Sequence, residues 1–293
     1  MTAALAIRRL LRAAGMNPTD VYHRLSAWSL RAALKEQGLV ELVDTLRGIE
    51  PNLREQYSRP VEEGEYQALR ELKTRGMHAF QVQMLLKAIE RVGGDGITVA
   101  DIGDSSGTHS LYMRQLAPRG KVARVFSVNL DPVAVQKVRD RGLEAILSPA
   151  ESLDPSADAV DLYASFETLE HFSDPLRFLH RLAAAGLAET MVFTVPYRRV
   201  SRFGGWELDI PESALAETLS PEDVHIFELS PRDWGRLVRL AGWRIVDQSI
   251  YWQYPQRAPA RVTAPMWRAL DFEGFLGVIM TRDLKVADRY TGW

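Results

Sequence analysis

Residues 99–110 read Val-Ala-Asp-Ile-Gly-Asp-Ser-Ser-Gly-Thr-His-Ser. A short apolar run gives way to a turn carrying Gly103 and Gly107, and a helical pattern begins at once. Glycines in such a turn let backbone amides approach a ligand closely, and the helix start behind them offers unpaired N–H groups to its polar parts. The same residues also spell glycine-x-serine-x-glycine between a strand and a helix, the setting of a nucleophilic serine. Ser105 would then need an acid and a histidine later in the chain, and Asp161 or Asp209 with His225 could supply them. Against that reading, the residues before this strand are helical in pattern and contain no glycine-rich oxyanion segment. A nicotinamide site fits less well, because its fingerprint wants a third glycine three residues after the second. Farther on, Arg198, Arg199 and Arg202 crowd a stretch of five residues, and arginine holds phosphate or carboxylate through two parallel hydrogen bonds. A solvated basic loop would look the same. No metal-ligand cluster stands out.

The elements that must position these groups fall into two parts. Over 1–93, apolar residues recur three and four apart (Leu39, Leu42, Val43, Leu46; Phe80, Val82, Leu85, Leu86, Ile89), which predicts helices, with Asn17 or Thr19 capping a start at Pro18. Six basic side chains, Arg8, Arg9, Arg12, Arg24, Arg31 and Lys35, face one acid, Asp20, in the first part of this segment. That stripe could contact a membrane surface, or be a solvated helix face. From 94 to 293 the pattern becomes apolar runs at 97–102, 124–130, 144–147, 159–166 and 190–195, separated by helical stretches at 111–117, 132–141 and 175–185. Runs without polar alternation belong to strands buried on both faces. Their alternation with helices predicts right-handed β-α-β units. A long irregular stretch, 197–229, precedes a helix at 231–241 and strands at 243–254 and 275–281. A connection of that length is usually a lid or binding loop. The helical segment 1–93 is expected to act as a lid or dimer element over the domain 94–293.

Composition narrows the classes. With 36 basic against 38 acidic residues there is no overall pull on polyanions, so a nucleic-acid partner is not expected. The absence of cysteine excludes disulfides, thiolate metal sites and cysteine nucleophiles. No apolar run is long enough to span a bilayer, and arginines interrupt the first apolar stretch, so a cytoplasmic location is expected.

Several landmarks, in order, resemble the class I S-adenosylmethionine-dependent methyltransferases. Asp101-Ile102-Gly103-Asp104-Ser105-Ser106-Gly107 is similar to their first motif, an acid followed by spaced glycines. Val125 to Asp131 is similar to the second strand with its ribose-binding end, and Pro149-Ala150-Glu151 to the turn over the adenine. Glu167-Thr168-Leu169-Glu170-His171, leading to Asp174-Pro175, is similar to the fourth strand's tail. The resemblance implies a Rossmann-like, doubly wound, seven-stranded, mostly parallel sheet with an N-terminal helical extension. It implies S-adenosyl-L-methionine held by Asp101, Gly103, Ser105, Gly107, Asn129, Asp131, Glu151 and Glu167. His171 or His225 would act as base, and Arg198, Arg199 and Arg202 would hold a small anionic or glycan-like acceptor methylated on oxygen. His109 would be a helix-surface residue. Ser105, Asn129 and Pro149 differ from the usual glycine, ribose-binding carboxylate and adenine-binding aspartate, which leaves a second reading, a binding or scaffold domain without turnover.

Overall fold

The computed structural model describes residues 12–56, 65–154, 159–204, 210–215, 217, 219, 221 and 224–293. Arg8 and Arg9 of the basic stripe, and Asp209 of the long connection, lie outside the described residues. The described strands are β1 (Ile97–Ile102), β2 (Val122–Asn129), β3 (Glu144–Leu147), β4 (Leu162–Phe166), β5 (Thr190–Pro196), β6 (Arg202–Phe203), β7 (Phe227–Glu228), β8 (Trp243–Trp252) and β9 (Gly274–Arg282). Seven of them form one sheet in the order β3-β2-β1-β4-β5-β9-β8, and β6 with β7 makes a separate ribbon. Neighbours from β3 to β5 run parallel, while β9 is antiparallel to both β5 and β8. The strand order reverses between β1 and β4. Crossovers therefore leave these two strands in opposite directions and open a crevice at their carboxyl ends.

Side chains alternate along each strand, so every apolar run feeds two cores. Val99, Leu162, Ala164, Phe166, Val192 and Ile279 face one, shared with α1 (Pro18–Glu36), α2 (Val40–Ile49), α3 (Glu65–Arg91) and α4 (Thr108–Leu116). Ala100, Ile102, Tyr163, Met191, Phe193 and Met280 face the other, shared with α6 (Pro175–Ala185) and α7 (Pro231–Leu240). Helix α5 (Pro132–Asp140) lies against β2 and β3, and α8 (Ala264–Ala269) follows β8. The uninterrupted strands are apolar throughout because both faces are covered.

The first core runs straight through the boundary that the change of pattern at residue 93 suggests. Phe80, Met84, Leu85, Ala88 and Ile89 of α3 are fully buried together with Val99, Val192 and Ile279 of the sheet. Helices α1 and α2 pack on α3 in turn, through Leu30, Leu34, Val43 and Leu46. α3 is therefore a layer of the sandwich, and periodicity could not say so because it reports a helix's apolar face and not its partner.

Four helices start alike: Asn17, Asp131, Asp174 and Ser230 each precede a proline and accept a first-turn N–H, from Thr19 at 3.0 Å, Val133 at 2.8 Å, Arg177 at 2.9 Å and Asp233 at 3.3 Å. The side-chain oxygen satisfies an orphan donor, and the proline ring fixes a helical φ without needing an N–H partner. Just beyond α1, the Gln37 side chain donates to the Trp252 carbonyl (2.9 Å) and accepts from the Trp252 N–H (3.0 Å) at the end of β8. The β8–β9 register shifts once, between Ile245 and Asp247.

Candidate active site

A cleft of about 360 Å³ opens where the strand order reverses. One wall is the turn after β1, with Asp101, Gly103, Asp104 and Ser105. A second is the end of β2 and the turn after β3, with Asn129, Pro149 and Glu151. Glu167, Thr168 and His171 follow from the end of β4, and α3 contributes Met77, His78 and Gln81. Sequence reading nominated the first three groups. The direct run of the last N-terminal helix into β1 also points to Met77 and His78 beside the cofactor edge, whereas Gln81 was not nominated, its reach depending on how that helix docks.

The two glycines of the turn have different work. Gly103, at φ +91°, sits in the cleft with its amide donating to the Val128 carbonyl at 2.8 Å, and a Cβ there would collide with the Thr168 side chain. Gly107, at φ +78°, caps α4 and does not line the cleft; a Cβ there would stand 2.7 Å from Leu143 Cδ1. Gly107 thus lets α4 begin against Leu143 and Val138 rather than admitting a ligand, which corrects its expected role as a cofactor contact. Ser105 is exposed on the cleft wall and makes no hydrogen bond to a described residue. The described partners of the nucleophile reading are engaged elsewhere, and Asp209 lies outside the described residues. Asp161 pairs through Oδ2 with the Thr98 amide at the opposite, amino end of β4, and His225 is bound to Glu228.

Two buried carboxyls next to one another have been driven apart. Asp101 is fully buried with both oxygens unpartnered; burial, reinforced by the adjacent Asp104, holds its pKa well above the usual carboxylate value. For Asp104, burial pushes the same way but is outweighed by His109 (Nδ1 to Oδ1, 3.8 Å) and by Ser110, which donates from its hydroxyl at 3.1 Å, so this carboxyl stays ionised. Ser127 donates to the same oxygen at 3.2 Å. His109 is buried, with Nε2 3.0 Å from Gln81 Oε1, and is no surface residue of α4. Gln81 in turn donates to Thr194 Oγ1 at 3.0 Å, tying α3, α4 and β5 together beneath the cleft. His78 is held neutral by its burial, with His109 and Arg75 adding to the effect.

The remaining nominated residues divide. Asn129 lines the cleft, but its amide is engaged at both ends, donating to the Asp104 carbonyl (3.3 Å) and accepting from the Asp131 N–H (2.8 Å). Asp131 caps α5 through Oδ1 and is absent from the cleft lining. Glu151 uses Oε1 to accept from Ser173 N (3.0 Å), Ser173 Oγ (2.8 Å) and Asp174 N (3.2 Å), fixing the approach to α6. Glu167 takes φ +51°, a left-handed conformation that costs a side-chain-bearing residue and collects at functional sites. Its Oε1 is buried without a partner, and burial raises its pKa to about 8 despite the opposing pull of Thr194, Lys73 and Arg198. His171 lines the cleft with Nδ1 held 2.9 Å from the Val224 carbonyl. His225 stands beside it, ring centroids 4.7 Å apart at 84°, outside the cleft lining.

The three arginines are brought together and already committed. Arg198 pairs with Glu228 at 2.6 Å and with Asp271; Arg202 pairs with Glu228 and, at 3.0 Å, with Asp271; Arg199 pairs with Glu273 at 3.0 Å. They fasten the β6–β7 ribbon and the strand β9 approach, and none lines the cleft. Their carboxylate partners lie 26 to 74 residues away in sequence, beyond what local spacing reveals.

Comparison with known proteins adds the family. The sequence model for the "Methyltransferase domain" family matches residues 77–248, more than half of the chain. No curated protein matches. Among solved structures, a chain of the complex between the Haloferax volcanii Trm112 methyltransferase activator and a methyltransferase is similar at 20% identity, covering 79% of this chain and 98% of that one with a TM-score of 0.51. An S-adenosylmethionine dependent methyltransferase from Mesorhizobium loti is similar at 15% identity, covering 70% of this chain and 98% of that one with a TM-score of 0.50. Likeness at these identities is likeness of fold.

Proposed function

This chain belongs to the methyltransferase-domain family and is a class I S-adenosylmethionine-dependent methyltransferase, and we propose that it methylates a hydroxyl oxygen of a small or glycan-like acceptor in the cleft between β1 and β4. The observation that carries this reading is the buried Asp101, with both oxygens unpartnered, and Glu167, whose Oε1 is buried without a partner, in a cleft also walled by Gly103, Asn129 and Pro149. An amino acid's ammonium group is the natural partner of such carboxyls, since an unsatisfied buried polar group costs about 1–3 kcal/mol. When bound, the cofactor supplies an electrophilic methyl group on a sulfonium.

The chain's own residues do the rest. Asp101 and Glu167 would hold the ammonium end, Asn129 would accept a ribose hydroxyl through the second lone pair of its carbonyl, and Pro149 and Leu130 would give the adenine an apolar wall. Thr168 packs over Gly103 in the cleft wall. His171 has its Nδ1–H turned to a carbonyl, which puts the ring's lone pair on Nε2, the atom that takes the acceptor's hydroxyl proton. Alignment of acceptor and methyl supplies much of the remaining rate. With Arg198, Arg199 and Arg202 neutralised by acids, nothing in this reading requires the acceptor to be anionic.

Calorimetric titration with S-adenosylmethionine and with its demethylated product tests the reading. Micromolar binding of both supports it. No heat and no thermal stabilisation at millimolar ligand would leave the domain as a binding scaffold; occupancy at 100 times the dissociation constant should add about 2.7 kcal/mol.

A further inference from the structure

Directly after β4, the chain makes one tight turn, Leu169–His171, and its middle residue is, like Asp101, a buried acid without a partner. Glu170 is fully buried with both carboxyl oxygens unpartnered. Its charged neighbours Glu167 and Glu228 are both acids. Among the described residues no arginine or lysine answers it: Arg198 and Arg202 both turn to Glu228 instead. A buried carboxyl without a counter-ion is costly, and a bound cation removes that cost.

Two histidines complete the surroundings. One ligand atom each from Glu170, His171 and His225 lies within 4.8 Å of the others. Two atoms bound to one ion at about 2.1 Å can stand at most ~4.2 Å apart, so closing the set takes a shift of roughly half an ångström. Both rings are held at Nδ1 by groups that can only accept, His171 by the Val224 carbonyl at 2.9 Å and His225 by Glu228 Oε1 at 3.0 Å. Each therefore carries its lone pair on Nε2. An imidazole oriented by a carbonyl or carboxylate behind it is the usual outer support of a metal ligand. The backbone prepares the same geometry, because the Ile226 amide donates to the Glu170 carbonyl at 2.7 Å and so stitches the segment carrying His225 to the turn after β4.

We propose that Glu170, His171 and His225 form a divalent metal site beside the cleft, whose wall includes His171. Two imidazoles with carboxylate suit manganese, iron, cobalt or zinc better than calcium or magnesium. An ion there takes the ring that the reading above uses as base, so the two roles of His171 exclude each other in any one molecule. The metal site does not rest on the methyltransferase reading.

The test is titration of the purified full chain, stripped with chelator, with Co2+ followed by visible absorption and with Mn2+ followed by calorimetry. One ion per chain with micromolar affinity and a cobalt d–d band is expected. Glu170→Gln should weaken binding at least tenfold and His225→Ala should abolish it. Glu228→Gln, which touches no ion but orients His225, should weaken it by about 10- to 100-fold. If Glu170→Gln does not fold, His225→Ala serves, since that ring is one-third exposed. Binding no tighter than millimolar, or binding indifferent to His225→Ala, overturns the site. S-adenosylmethionine titrated into the stripped protein separates the readings: cofactor heat without cobalt binding refutes the metal site alone, and cobalt binding without cofactor heat upholds the site and refutes the proposed reaction.

Discussion

Replacing Asp101 by asparagine should make the protein more stable and a worse binder at the same time. In the unfolded chain this carboxyl loses its proton near 3.8, whereas in the folded chain burial and the neighbouring Asp104 keep it protonated well above that. Between the two values the folded state binds one proton more than the unfolded state, so stability falls as pH rises, by up to about 1.4 kcal/mol per pH unit. Below the unfolded value both states are protonated and the effect vanishes. Asparagine has nearly the same shape and cannot ionise. Urea denaturation of both proteins at pH 4.5, 5.5 and 6.5 should therefore show the variant gaining on the wild type by about 1.4 kcal/mol at each step while the window stays below the folded pKa. In the same variant the affinity for S-adenosylmethionine should drop by roughly ten- to a hundredfold, the worth of one charge-assisted hydrogen bond of about 1.5–3 kcal/mol. Parallel stability profiles would refute the reasoning, because they would mean that Asp101 is ionised in the fold and already has a partner.

Gly107→Ala should cost about 2 to 4 kcal/mol, from the left-handed backbone and the contact with Leu143, while the folded fraction binds cofactor normally; chemical denaturation alongside calorimetry reads both. Ser105→Gly should keep or improve cofactor affinity, since the hydroxyl supports no hydrogen bond, and an esterase activity lost in this variant would revive the hydrolase reading. Leu46→Ala, at a fully buried position where α2 meets α3, should destabilise the whole domain by about 2 to 5 kcal/mol in a single unfolding transition; a separate early transition would mean that the helices form their own unit.

The sequence exposed what depends on neighbours in the chain. The strand β1 and the helix α6 stand where their apolar patterns and capping residues place them, since burial on both faces and an Asp174-Pro175 start are local signals. Strand β4 begins three residues later than its pattern suggests, and Asp161 just before it donates its N–H to the Thr98 carbonyl while its side chain accepts the Thr98 N–H. Pairings across the fold left no local trace. Arg199 meets Glu273 seventy-four residues on, and Glu170 and His171 meet His225 only because the ribbon folds back over the turn after β4. A reading by spacing sees three arginines as available and two histidines as solitary. Assigning α3 to an appendage has the same origin, with its consequence in the site: Met77, His78 and Gln81 are cleft residues.

The grip of Gln37 on Trp252 has a consequence for what the protein can join. β8 is an outer strand of the sheet, ten residues long, and an open edge of that length is a template on which another chain can add a strand. One side-chain amide here imitates a neighbouring strand for a single residue, occupying both backbone groups that Trp252 turns outward. At the other end of β8 the irregular register at Ile245–Asp247 bends the edge, and Arg244 and Asp247 leave charge along it. A second molecule seeking to extend the sheet finds the edge plugged at one end and bent at the other. The opposite border, β3, offers only four residues. Self-association by sheet extension is thereby discouraged at both borders, and a partner is left to meet this protein through its helices and loops.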